Sequence, residues 1–356
     1  MTRIAVLALP VMISTLSAAA QESRYPIQVA DRFGYIDSLG RVVVRPEYSN
    51  RSEFSEGYCK EVLVSFYWWF YRHLSYINVM GDSVINTDYV DGGNFSEGLA
   101  RVRHATFLGS ERWGYIDTAG REVIAPRFMD AGDFHDGRAR VMERFSVLFV
   151  SDVEKFGYID RSGKLLVDYI YKSAGDFSEG LANVALDDRR GFIDTTGRVV
   201  IGLKYEHVGN FSDGLAAVEQ DGKWMYINTK GETVIPGPFA NARDFHDGLA
   251  LVENDTTWSF IDTKGSEPFH LDFEDALFFS RGLAAVEVDG LWGYINTRGE
   301  FVIKPRFIDA DSFVDGLASV EDLIGRGYIN RTGRFVWRSS EVDKDVSESG
   351  NNYGVK

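Results

Sequence analysis

The 356-residue chain has one cysteine, Cys59. No internal disulfide can therefore form, and the fold must be held by buried surface even in an oxidising compartment. With no convincing histidine partner nearby, Cys59 is expected to be a buried thiol and not a nucleophile. Basic residues are in deficit: 38 Lys+Arg face 53 Asp+Glu, for a formal net charge of −15. Nucleic acid needs a basic surface for its phosphates, so it is excluded as a partner. The sequence also lacks a Gly-x-Ser-x-Gly elbow, a phosphate-binding loop and a dinucleotide fingerprint. Beyond Ala20 no apolar run is long enough for a membrane helix.

The start of the chain has a different character. Met1-Thr2-Arg3 leads into an apolar run from Ile4 to Leu16 and then Ser17-Ala18-Ala19-Ala20. A short charged start, an apolar stretch too short to span a bilayer and an Ala-x-Ala ending predict a cleavable secretory signal over residues 1–20. No cysteine follows it to carry a lipid. Without Arg3, 37 basic residues face 53 acidic ones, net −16. The expected location is periplasmic or secreted.

What the sequence has in abundance is self-similarity. A four-residue motif ending in aromatic-Ile occurs nine times, as in Phe33-Gly34-Tyr35-Ile36, Trp113-Gly114-Tyr115-Ile116 and Trp292-Gly293-Tyr294-Ile295. Worn copies include Leu74-Ser75-Tyr76-Ile77, Arg190-Gly191-Phe192-Ile193 and Arg326-Gly327-Tyr328-Ile329. Each continues with Asp or Asn, two residues and Gly, then a β-branched run that often reaches proline (Pro46, Pro126, Pro236, Pro305). A second motif, Phe-x-x-Gly, occurs eight times, beginning at Phe54, Phe95, Phe134, Phe177, Phe211, Phe245, Phe279 and Phe313. The interval from the central aromatic to this Phe is the same in every copy, as from Tyr115 to Phe134 and from Tyr294 to Phe313. From Tyr158 onward the central aromatics are evenly spaced, at Phe192, Tyr226, Phe260, Tyr294 and Tyr328.

One unit can be built from these residues. Trp113 and Tyr115 alternate with Gly114 and Ile116, as a strand requires. Asp117-Thr118-Ala119-Gly120 suits a type I turn continued by a left-handed residue. The next strand returns antiparallel until proline, which cannot donate to a ladder, ends it. Asp221-Gly222 and Asp289-Gly290 mark a second hairpin. Each unit is thus a meander of about three strands. The period also fits helix-pair repeats, but the glycine-closed turns leave no amphipathic helix of useful length. The expected fold is all-β: a tandem array over 21–338 whose units stack into one core, followed by a polar, disordered tail over 339–356. An open β-solenoid or superhelix is the preferred form, and a closed propeller-like ring is the alternative.

The unit Trp-Gly-Tyr-Ile-Asp-x-x-Gly, then Val-Ile-x-Pro-x-Phe and Phe-x-x-Gly-Leu-Ala-x-Val, resembles the WG-repeat family of bacterial proteins. The clearest copy is Trp292 to Val320, and the resemblance covers residues 30 to 337. It implies a β-repeat protein with a binding or scaffolding role, and it brings no catalytic residues. Leu74-Ser75, Arg190 and Arg326 depart from the motif, as decaying copies or caps do.

The recurring acids invite an enzyme reading. Yet Asp37, Asp117, Asp160, Asp194 and Asp262 share one turn position with Asn78, Asn228, Asn296 and Asn330. A general base or metal ligand could not be exchanged so freely for an amide; a turn cap could. None of the six histidines forms a pair with metal-ligand spacing. No catalytic residue, cofactor or metal is expected. The motif aromatics are expected to pack between units and not to serve as sugar platforms.

Length varies at one place only, between the Phe-x-x-Gly glycine and the next central aromatic. The distance is short and constant from Gly180 onward, as from Gly180 to Phe192. It is longer from Gly57 to Tyr76, from Gly98 to Tyr115 and from Gly137 to Tyr158. Three consecutive hairpins are therefore enlarged, at 58–75, 99–113 and 138–156, and should emerge side by side. They carry nine basic residues against five acids and are rich in aromatics. Tyr67, Trp68, Trp69, Tyr71, Arg103, Phe107, Arg144 and Phe145 are the candidate partner-binding residues. The expected partner is a protein, peptide or glycan of the cell envelope. The alternatives are a purely structural array, with these hairpins as caps, and a hydrolase with an unrecognised site.

Overall fold

The computed structural model describes residues 23–67, 69–105, 110–146, 152–254 and 257–339. The signal reading over 1–20 and most of the tail lie outside them. The described residues form nine antiparallel sheets, seven of four strands and two of three, with every element a strand. Blade 4 is typical: Asp130–Ala131, Arg138–Phe145, Val153–Asp160 and Leu165–Tyr171, paired in chain order. Each unit is therefore the expected three-strand meander preceded by a two-residue strand. Blade 1 (Tyr25–Val29, Arg32–Ile36, Val42–Tyr48) lacks that first strand, and blade 7 (Asn241–Ala242, Leu249–Asn254, Thr257–Asp262) lacks the fourth.

The local chemistry follows the sequence pattern. In all nine units the Asp or Asn Oδ1 accepts the N–H groups two and four positions on, as Asp117 does from Ala119 at 3.0 Å and Arg121 at 2.9 Å. Amide and carboxylate make the same two bonds, which is why they interchange. The Phe-x-x-Gly motif is itself a tight hairpin: Ser96 and Leu99 exchange backbone hydrogen bonds around Glu97 and Gly98, both at positive φ. Two left-handed residues in succession define the turn that matches strand twist.

The prolines act differently from the expectation that they end the strand. Pro46, Pro126 and Pro305 lie within fourth strands. In blade 3 the pairs Trp113↔Phe128 and Tyr115↔Ile124 leave two extra residues on the fourth strand. Proline sits in this bulge, where no ladder N–H is needed. The bulge presses on the motif glycine: a β-carbon on Gly114 would stand 2.4 Å from the Ile124 carbonyl oxygen. Units without that glycine change accordingly. With Ser75 the fourth strand is cut to Ser83–Asn86, with Ser259 no fourth strand forms, and beside Met225 the close approach moves to Gly237.

The sheets pack face to face, so both faces of the third strand are buried: Tyr115 and Ile116 are each 0% exposed. Eight of the nine central aromatics, all but Tyr328, meet the Phe of the motif that follows, as in Tyr115–Phe134, with ring centroids 4.9 Å apart and nearly edge-on. Such geometry adds about 1 kcal/mol per pair beyond area burial. The central aromatics are core, as expected, whereas the leading aromatics such as Trp113, Trp224 and Trp292 are only partly buried and pack against it.

The array closes. The glycine of the Asp/Asn-x-x-Gly turn packs on a fourth-strand residue of the preceding blade, as Gly120 does on Ile85, Gly163 on Ile124, Gly231 on Ile201 and Gly333 on Ile303; in blade 8, which follows the blade without a fourth strand, Gly299 meets Phe269 instead. In blade 1 the equivalent Gly40 packs on Val336 of blade 9. Tyr25, Ile27 and Ile36 share one core cluster with Leu317, Tyr328 and Trp337. The molecule is thus a ring of nine blades, a β-propeller, and not the open solenoid or superhelix preferred from sequence. Local patterning defines a blade but not the small rotation between blades, and that rotation decides closure.

Candidate functional site

The three enlarged hairpins join the second and third strands of blades 2, 3 and 4. Being equivalent connections in consecutive blades, they emerge on one side of the ring. In blade 2, Tyr58–Tyr67 pairs with Trp69–Asn78 without a register break, ending at Ser65↔Tyr71 and Tyr67↔Trp69. These strands have 10 residues each, against 6 in blade 5. The backbone thus carries Tyr67, Trp69 and Tyr71 to the far end of the longest ladder in the ring. Trp68 and Phe107 lie outside the described residues.

Arg103 and Arg144 are both engaged within their own blades. Arg103 donates to Glu111 at 2.6 Å and to Asp91 at 3.1 Å, with its guanidinium 5.6 Å from the Trp113 ring centroid. Arg144 donates to Glu154 at 2.8 Å, and that hydrogen bond raises its pKa. Phe145 is 44% exposed, with its ring 6.1 Å from that of Tyr169.

The local excess of arginine has a structural explanation that the hairpin sequences alone did not reveal. Arg101 pairs with Asp133 at 3.1 Å and donates to the Ala131 carbonyl, and Arg140 pairs with Asp176 at 3.0 Å. In both cases the acceptor belongs to the next blade. Asp91, Asp133 and Asp176 fall outside the hairpin segments, so a charge count over those segments misses them. Lys60 and Arg138 also reach the next blade, donating to the carbonyls of Gly92 at 2.7 Å and Thr195 at 2.9 Å. Four of the nine basic residues therefore join blades, and Arg103 is held by Asp91 together with a hairpin acid.

A second feature was not anticipated. A cavity of about 1110 Å³ opens where blade 1 lacks its first strand, lined by Tyr25, Arg51, Phe278, Arg281, Ser312 and Tyr328, among others. The Ser312 hydroxyl is buried there without a partner. The signal for this gap was a count: nine copies of the first motif but only eight of the second.

Cys59 is fully buried, with Sγ 3.0 Å from the Tyr35 hydroxyl. Burial pushes the thiol up to about 11. Among the described residues no three His, Cys, Asp or Glu side chains come together as a metal site, and no helix is long and apolar enough to cross a membrane.

Nine antiparallel blades, each built on an aromatic-Ile strand and closed into a ring, define a repeat β-propeller. The family model described as "WG containing repeat" matches residues 33–60, 75–104, 113–144, 156–189, 191–224, 224–256, 258–292 and 292–322. The chain belongs to the WG-repeat family. No curated protein matches it. Among solved structures it is similar to the extracellular domain of the putative hybrid two component system BT3049 from B. thetaiotaomicron (10% identity, TM-score 0.29, 86% of this chain and 54% of that one). It is also similar to uncharacterized protein lmo1340 from Listeria monocytogenes EGD-e (10%, TM-score 0.40, 79% and 90%). A third is Citrobacter koseri AztD (13%, TM-score 0.35, 87% and 91%). The chain spans about half the length of the first of these.

Proposed function

We propose that this is a secreted, non-catalytic binding or scaffolding protein that takes up a protein, peptide or glycan of the cell envelope on its three long hairpins. One observation carries the reading. Hairpin length departs from the common value in three blades only, and those blades are neighbours. A cap or a decaying repeat would sit at a boundary of the array, and a closed ring has no free end to cap. Ring-edge loops on a rigid scaffold are where binding residues concentrate. The recurring acids are committed to turns, which supports a non-catalytic role.

The test compares the full-length protein with Trp68→Ser/Trp69→Ser/Tyr71→Ser, and with a version whose hairpins are trimmed to the spacing between Gly180 and Phe192. Envelope partners captured by the parent are purified and titrated against all three proteins, with circular dichroism as the fold control. Saturable binding lost in both variants supports the proposal. Equal binding by folded variants, or lower stability with no partner found, returns the hairpins to a structural role.

A further inference from the structure

Between blades 3 and 4 the structure leaves a cleft of about 540 Å³, lined by Arg127 and Phe128 on one side and by Glu143, Leu165 and Tyr169 on the other. That volume lies within the roughly 300–1,000 Å³ of small-ligand sites. The cleft adjoins the long hairpins. Glu143 belongs to the enlarged hairpin of blade 4, and so does Phe145, which is 44% exposed and packs on Tyr169 with ring centroids 6.1 Å apart.

Arg127, Glu143 and Tyr169 all depart from the repeat. Tyr169 occupies the bulge of the fourth strand, the position of Pro46, Pro126 and Pro305 in blades 1, 3 and 8 and of Leu203 in blade 5. Proline suffices for that bulge, so the fold does not require a tyrosine. At the register position of Glu143, blades 5, 6 and 8 carry Leu186, Gln220 and Val288. Arg127 stands where blades 4 and 5 have Ile170 and Lys204. Blade 8 does carry an arginine there, Arg306, but the acid that corresponds to Glu143 in blade 9, Asp322, is taken by Arg338 at 2.9 and 2.8 Å.

The three side chains are held in place, yet each keeps polar capacity for a ligand. Arg127 donates through Nη2 to the Gly163 carbonyl and lies 4.9 Å from the Phe128 ring centroid. Those contacts fix the guanidinium, and Nε and Nη1 take no partner among the described residues. Glu143 accepts the Arg144 N–H with Oε1 at 3.1 Å, which leaves Oε2. Burial pushes the Tyr169 hydroxyl above its ordinary range, the Glu143 carboxylate adds to this and the Arg127 guanidinium opposes it. Both charges therefore bear on the polar end of the ring. A sugar matches this arrangement. Its C–H face lies flat against an aromatic ring, and its hydroxyls donate and accept at once, satisfying guanidinium and carboxylate together. A charged ligand would meet Arg127 or Glu143 as a like charge. Lys164, also at the cleft, is exposed and solvated.

We propose that the cleft between blades 3 and 4 binds neutral sugar units of an envelope glycan, with Tyr169 as the stacking platform, Glu143 as acceptor and Arg127 as donor. The inference rests on the reading of the long hairpins as a partner-binding surface, and it narrows that partner to a glycan.

The test places the full-length protein on an array of neutral and acidic oligosaccharides and then titrates it calorimetrically with the neutral oligosaccharide retained best. Tyr169→Pro installs the residue that the same bulge holds in blades 1, 3 and 8, so it should fold normally, as circular dichroism checks. It should weaken affinity by about tenfold or more. Glu143→Ala should do the same, and Leu203→Pro, the identical change one blade further on, should leave affinity unaltered. Retention of no neutral oligosaccharide, retention of acidic ones alone, or parental affinity in folded Tyr169→Pro overturns the proposal. If Tyr169→Pro does not fold, Glu143→Ala, at a partly exposed position, decides. The two readings fail separately. A captured protein or peptide partner that is lost in Trp68→Ser/Trp69→Ser/Tyr71→Ser but kept by Tyr169→Pro sustains the hairpin surface and overturns the sugar site. Glycan binding that survives the triple substitution but not Tyr169→Pro sustains the sugar site and removes the blade 2 hairpin from the surface.

Discussion

Gly40, in the first turn of blade 1, faces the carbonyl of Val336 in the last strand of blade 9 so closely that a β-carbon on it would stand 2.0 Å from that oxygen. The two residues are the ends of the array brought into contact. The same glycine-on-strand packing joins every other blade but the eighth to the one before it, so closure uses an ordinary blade contact.

That contact predicts a position-specific cost for Gly40→Ala. Gly57 provides the control, because its φ of +84° is close to the +80° of Gly40 while an added β-carbon there meets nothing within 4 Å. Gly57→Ala should cost only the left-handed penalty, about 1–2 kcal/mol. Gly40→Ala should cost about 2 kcal/mol more, because backbone must shift. Urea denaturation of both variants measures the difference; equal costs would mean that blades 1 and 9 do not pack as described.

Acid should weaken the ring through its turns. The Arg121 side chain holds the Asp117 carboxyl below its ordinary range, and the Ser162 hydroxyl does the same for Asp160. A folded pKa below the unfolded value near ~4 gives stability that is complete above about pH 4 and lost as pH falls through the lowered folded value. The Asn turns of blades 2, 6, 8 and 9 make the same bonds without titrating. Asp117→Asn/Asp160→Asn/Asp194→Asn should therefore fold normally and lose less stability below pH 4 than the parent. The check is the urea midpoint as a function of pH, and parallel curves would refute this account.

Cys59 should be inert and nearly dispensable. With the thiol pushed up to about 11 and the side chain 0% exposed, a disulfide reagent at pH 8 should modify the native protein at least two orders of magnitude more slowly than the unfolded chain, on the order expected from the thiolate fraction alone. Seven other blades carry alanine at this register position, so Cys59→Ala should cost no more than about 1–2 kcal/mol, chiefly the contact with the Tyr35 hydroxyl. Rapid native modification would point to a reactive thiol and reopen the catalytic reading.

The features legible in the sequence are those that one blade determines by itself. Asp117 to Gly120 is a turn whatever its surroundings, and Asp221-Gly222 reverses the chain because both residues accept positive φ. Closure was not legible, because Gly40 and Val336 meet only after rotations that no single unit encodes have accumulated. Pro126 was misread as a stop because its bulge is visible only in the pairing of Trp113 with Phe128. The basic character of the enlarged hairpins was overstated for a similar reason: Arg140 is matched by Asp176, an acid of the following blade. The missing first strand of blade 1 could have been inferred from the unequal motif counts.

The arginine pairs give the last test, because they separate a structural role from a binding one. Arg140 Nε lies 3.0 Å from Asp176 Oδ1, with the side chains 29% and 41% exposed. Partial shielding should lift the coupling above that of a surface pair, to about 1 kcal/mol. A double-mutant cycle of Arg140→Met and Asp176→Asn, read by urea denaturation, should show that coupling, while neither variant alters affinity for a partner held by the hairpins. Arg144→Met should behave oppositely. Its partner Glu154 lies on the same exposed hairpin, so its loss should leave stability within about 0.5 kcal/mol and weaken binding. If Arg140→Met instead abolishes binding without destabilising the fold, the interface extends down the blade faces, and the division drawn between joining and recognising arginines is wrong.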